Sequence, residues 1–154
     1  MFVKKHAVSF SVATLLMMSF AGAALATGGS QAPSIVGSWQ ATTTLEPAGE
    51  ESLALFTFNG DNTFVATGPD ASFSVAHGAW KQIGPRKYRL GNIGFVYDAS
   101  GGIAFRIENR TILKVSANGN RFIAEFESDL TLPDGTVIQT TTGSSEGRRI
   151  KPNL

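Results

Sequence analysis

Apolar and charged residues alternate along much of this chain. Between Ile103 and Val115, Ile103, Phe105, Ile107, Leu113 and Val115 share one parity, while Arg106, Glu108, Arg110 and Lys114 take the other. Between Arg121 and Leu132, Phe122, Ala124, Phe126, Leu130 and Leu132 oppose Arg121, Glu125, Glu127 and Asp129. A period of two with one charged face predicts strands that bury one side and wet the other. From Ile35 onward no stretch carries a helical period of useful length.

Turn chemistry separates the runs. Glu46-Pro47-Ala48-Gly49 ends the first, and Asn59-Gly60-Asp61-Asn62 divides Leu53–Phe58 from Thr63–Thr67. Gly68-Pro69-Asp70 precedes Phe73–Ile83, and Gly84-Pro85-Arg86 precedes the run from Lys87. Ser100-Gly101-Gly102, Asn118-Gly119-Asn120 and Pro133-Asp134-Gly135 introduce Ile103–Val115, Arg121–Leu132 and Thr136–Thr142. Gly supplies positive φ, Pro presets φ, and Asn or Asp tolerates the left-handed region. Gly143-Ser144-Ser145-Glu146-Gly147 also reads as a turn. About eight runs with short connections predict an all-β fold, an antiparallel up-and-down β-barrel. Closure removes strand edges, and a sandwich needs longer crossings. The charged outer face excludes an outer-membrane barrel, whose outward residues are apolar.

The first 26 residues differ from the rest. Lys4 and Lys5 precede an apolar and small-residue run from Ala7 to Ala23, and Ala24-Leu25-Ala26 follows. That is the pattern of a cleaved secretory signal, not of a retained membrane helix. The mature protein is expected to begin near Thr27 and to work outside the cytoplasm, in the periplasm or the medium, with no membrane insertion after cleavage. Residues 27–34 are a lead-in rich in Gly, Ser and Pro, residues 35–150 the barrel, and residues 151–154 a tail. The chain has no cysteine, so an exported domain of this size depends on its core alone. The formal charge of +1 becomes −1 once Lys4 and Lys5 leave. A nearly neutral chain with interspersed signs argues against nucleic acid as partner. The cluster Arg148, Arg149 and Lys151 reads as a solvated end.

Gly37-Ser38-Trp39 opens the first run, and Gly78-Ala79-Trp80 repeats the G-x-W spacing on the fourth. In this the chain resembles the calycins, the lipocalin-like and avidin-like barrels that open on G-x-W. The lipocalin T-D-Y segment and disulfides are missing, and the avidin biotin-contact pattern is not recognisable. The stretch from His77 to Leu90, with Gly94-Phe95-Val96-Tyr97-Asp98, also resembles an uncharacterised bacterial family of exported calycin-like proteins. The resemblance implies that Trp39 plugs the closed end of the barrel and that Arg148 or Arg149 packs over it.

Candidate chemistry is sparse. His77 is the one histidine beyond the leader, and without cysteine it cannot complete a metal site. No G-x-S-x-G elbow is present, and the turn aspartates do not have calcium-loop spacing. The sequence implies no cofactor, no metal and no catalytic residue, and leaves the oligomeric state open. Eight phenylalanines lie beyond the leader, from Phe56 to Phe126. An eight-stranded barrel either fills its interior with such residues or holds one small ligand. Asn109 and Thr111 fall on the apolar parity of their strand, and buried polar groups need partners.

The favoured function is binding of a small hydrophobic or amphipathic molecule near His77, Trp80, Tyr88 and Phe105. His77 and Trp80 have opposite parity, so both face inward only if a bulge at Gly78 resets the register. One alternative is an isomerase- or cyclase-type enzyme, like the allene-oxide-cyclase and dirigent barrels, which steer an intermediate by shape. The other is a structural or partner-binding protein with a filled core. An interior cavity of roughly 300 Å³ or more separates the first two from the third.

Overall fold

The computed structural model describes residues 34–152; the expected leader, its cleavage site and most of the lead-in lie outside the described residues. Eight strands follow one another: β1 (Gly37–Glu46), β2 (Glu50–Phe58), β3 (Thr63–Thr67), β4 (Ala76–Gly84), β5 (Lys87–Tyr97), β6 (Ile103–Val115), β7 (Arg121–Thr131) and β8 (Val137–Arg149). Each pairs antiparallel with its sequence neighbours, and β1 pairs with β8 to close the barrel. The fold is therefore an all-β, up-and-down closed barrel. Closure leaves neither β1 nor β8 as an edge strand.

Two elements differ from the sequence reading. Gly143–Gly147 is not a turn, because β8 runs through it to Arg149. Phe73 is not part of β4; it makes an isolated bridge to Val96, while Ser74 N–H donates to the Phe95 carbonyl. The residues between β3 and β4 thus lie against the end of β5.

Glycine explains the first difference. Phe122 stands directly opposite Gly147, Phe126 opposite Gly143, and Phe64 opposite Gly78. At each glycine an added methyl would run into the ring of its partner. The rings lie flat along the barrel wall, over strands that carry no side chain there. The aromatic load is thereby accommodated without filling the lumen.

The core gathers at one end. Trp39, Phe58, Phe64, Tyr88, Leu113, Val115 and Phe122 are buried, each from the end of its strand nearest Trp39. The aromatic rings meet in edge and stacked contacts: Trp39 on Phe122 at 5.2 Å, Phe58 on Phe64 at 5.1 Å and Phe56 on Phe122 at 6.1 Å between centroids. Such pairs add to simple area burial. At the other end Phe73, Ile103 and Val137 are 45%, 49% and 54% exposed.

Candidate functional site

The closed end is sealed by Trp39 and Arg149, which stand opposite each other on β1 and β8. The guanidinium carbon of Arg149 lies 4.2 Å from the Trp39 ring centroid. Its three nitrogens donate to backbone carbonyls, Nε to Gly119 at 2.7 Å, Nη1 to Val36 at 2.6 Å and Nη2 to Ser34 at 2.7 Å. The indole N–H of Trp39 donates to the Ile35 carbonyl at 2.9 Å. Partial burial draws Arg149 below its ordinary value, and the nearby Tyr88 opposes that shift. Arg148 is exposed on the outer face.

The two G-x-W segments do different work. Gly37 has φ of +128°, and an added Cβ would lie on Nη1 of Arg149, so glycine there makes room for the plug. Gly78 makes room for the Phe64 ring. It carries no bulge: His77, Gly78, Ala79 and Trp80 pair in unbroken register with Ile93, Asn92, Gly91 and Leu90, and the shift in this pair lies at Gln82/Gly84.

Of the four residues expected around a ligand, Trp80 and Tyr88 meet, whereas His77 and Phe105 lie apart from them. His77 is exposed on the outer face. Trp80 faces inward, donates from its indole N–H to the Thr63 carbonyl at 3.2 Å, and meets Tyr88 edge-on at 5.6 Å. Both pack into the closed end. Phe105 pairs with Val96 beside the register shift at Val96/Tyr97. None of the four lines the cavity described next.

Above the aromatic floor the barrel is hollow. The cavity measures about 530 Å³ and reaches from Phe56, Phe64 and Phe122 to the residues between β3 and β4, including Phe73. This volume lies within the range of small-molecule sites and above the threshold that separates a hollow barrel from a filled one. The wall formed by β2 to β4 is mostly apolar, with Ala54, Phe56, Phe64, Ala66 and Ala76 beside Ser52 and Thr67.

The opposite wall carries a polar row. Asn92 on β5 stands opposite Asn109 on β6, Asn109 opposite Ser128 on β7, and Ser128 opposite Thr141 on β8. All four line the cavity. Leu90, Thr111 and Phe126 flank the row on one side, and Ile107, Leu130 and Gln139 on the other. Asn109 and Thr111, the polar residues noticed on an apolar parity, both open into the cavity. Asn92, Ser128 and Thr141 were missed. The parity of Asn92 with Tyr88 and Leu90 was the available signal.

Among the described residues lining the cavity, Asp70 is the only titratable one. It accepts from the Ser72 N–H at 2.8 Å and hydroxyl at 2.7 Å, which holds its carboxyl below the ordinary value. No group of three His, Cys, Asp or Glu side chains among the described residues is placed to hold a metal. A separate groove outside the barrel, beside Arg110, Glu127 and Ser144, is spanned by the Arg110–Glu127 ion pair at 2.6 Å. Chemically, the interior can enclose a largely apolar molecule and hydrogen-bond to a polar edge of it.

Compared with family models, with curated proteins and with solved structures, the chain finds no match.

Proposed function

We propose that this is an exported binding protein that holds a small, largely apolar molecule inside its barrel. The observation that carries the reading is the cavity of about 530 Å³ between an aromatic floor and an exposed rim. The leader pattern of residues 1–26 supports work outside the cytoplasm. The flat Phe rings over Gly78, Gly143 and Gly147 support a lumen kept open rather than one incidentally underfilled.

Fluorescence titration with the neutral dye N-phenyl-1-naphthylamine tests it. Saturable binding with one dye per protein is expected. Ala66→Trp, which fills the lumen from the apolar wall, should weaken it at least tenfold, while His77→Ala on the outer face should leave it unchanged. Circular dichroism shows whether each variant keeps its fold. Absence of saturable binding to the folded wild type would overturn the proposal.

A further inference from the structure

We infer that the ligand is uncharged and is held through hydrogen bonds to the row Asn92, Asn109, Ser128 and Thr141. This rests on the reading of the cavity as a binding site and specifies what it selects. Three observations carry it.

The first is the continuity of the row. Four polar side chains on four neighbouring strands stand directly opposite one another, and all open into the same space. The neighbouring rows each hold a single polar side chain, Thr111 beside Leu90 and Phe126 and Gln139 beside Ile107 and Leu130, so the polar groups concentrate in this one unbroken line.

The second is their unused capacity. No buried side-chain nitrogen or oxygen among the described residues lacks a partner. The side chains of Asn92, Asn109 and Ser128 have no hydrogen bond within the described structure, so their polar atoms open onto the cavity. Thr141 accepts from Gln139 at 3.1 Å, and its hydroxyl proton remains available. Asparagine amides both donate and accept, so the row suits a carbonyl, hydroxyl or amide equally well.

The third is the absence of countercharge. The lining residues include no lysine, arginine, histidine or glutamate among those described, and the charges of β6 and β7 face outward. Asp70, the one charged residue among the described lining, is solvent-exposed in the connection between β3 and β4, so an ionised group drawn down to the row would be desolvated without a partner there, a heavy penalty. The Asp70 carboxylate would also repel an anion. An uncharged amphipathic molecule meets neither cost. Its apolar body lies on Phe56, Phe64 and Ala66, and its polar edge turns to β5 to β8.

Pyrene, pyrene-1-carboxamide and pyrene-1-carboxylate separate the possibilities, since the last two are nearly isosteric and differ in charge at neutral pH. Fluorescence titrations at pH 7.5 should show the amide bound at least tenfold more tightly than the carboxylate and several-fold more tightly than pyrene. In the double variant Asn92→Leu/Asn109→Leu the amide should fall to the affinity of pyrene, while pyrene itself binds no more weakly. Should that variant fail to fold, Asn109→Asp, which is nearly isosteric, should favour 1-pyrenemethylamine over the amide at least tenfold. Carboxylate binding equal to amide binding, or an amide affinity indifferent to the Asn variants, would overturn this inference and leave the binding reading intact. Failure of all three pyrenes to bind the wild type would remove both.

Discussion

At the scale of single residues, Arg149 does most to seal the barrel. One planar guanidinium lies over Trp39 and donates to three carbonyls from two separate segments, Ser34 and Val36 before β1 and Gly119 between β6 and β7. An ammonium offers neither the fork nor the planar face. Arg149→Lys should cost about 1–3 kcal/mol by urea unfolding. Trp39→Ala should cost about 3–5 kcal/mol, as a large core truncation. The turns carry a second, smaller device. Asp61, Asp70, Asp98 and Asp134 each accept from the backbone N–H two residues ahead. These bonds, with those from nearby hydroxyls, hold the four carboxyls below the ordinary value of 3.8. A carboxyl depressed in the folded state stabilises above its unfolded pKa and loses that effect as pH falls through the folded value. The urea midpoint should thus stay level between about pH 7 and 5 and decline below about 4. Asp98→Asn, which removes the carboxylate that accepts from Ser100 and Gly102, should flatten part of that decline. Trp39 and the turn aspartates were legible as residues, but what Gly37 does was not. Only the folded chain brings Arg149 onto it from the far end of the sequence.

Among the elements, the pairing of phenylalanine with glycine across strands decides both register and hollowness. A slip of one residue would set Phe122 against Glu146 or Arg148 and Phe126 against Thr142 or Ser144, and would turn those polar side chains toward the lumen. Gly147→Ala should therefore destabilise by about 1–3 kcal/mol. Combined with Phe122→Leu, the loss should be smaller than the sum of the two single losses, as a double-mutant cycle in unfolding would record. The strands themselves were readable from alternation and turn residues, because those signals are local. β8 was readable only as far as Thr142. Glycine and serine look like a turn when the ring that covers them belongs to another strand. The cavity was half readable: parity placed Asn109 and Thr111 inward, whereas the line they form with Asn92, Ser128 and Thr141 depends on register across four strands. His77 and Trp80 were separable by the same parity, once no bulge intervened at Gly78.

The whole molecule is unequal from end to end. Buried side chains crowd the Trp39 end, while the other end is hollow and its rim exposed. Local opening costs least where few apolar contacts must be broken. Amide hydrogen exchange should be slowest at Trp39, Phe58, Leu113 and Phe122, and faster at Leu45, Val96 and Leu130. A ligand bound within the lumen should slow the second group more than the first.

Because the strands alternate in direction and their number is even, the chain enters and leaves the barrel on the same side. β1 begins and β8 ends beside the Trp39 plug, where Ile150 N–H donates to the Ser38 carbonyl. Residues 34 and 152 thus depart from the sealed base. A tether, tag or fused domain joined after Pro152 projects away from the rim. Molecules of this protein anchored to a solid support by that end would all present their openings to the passing solution.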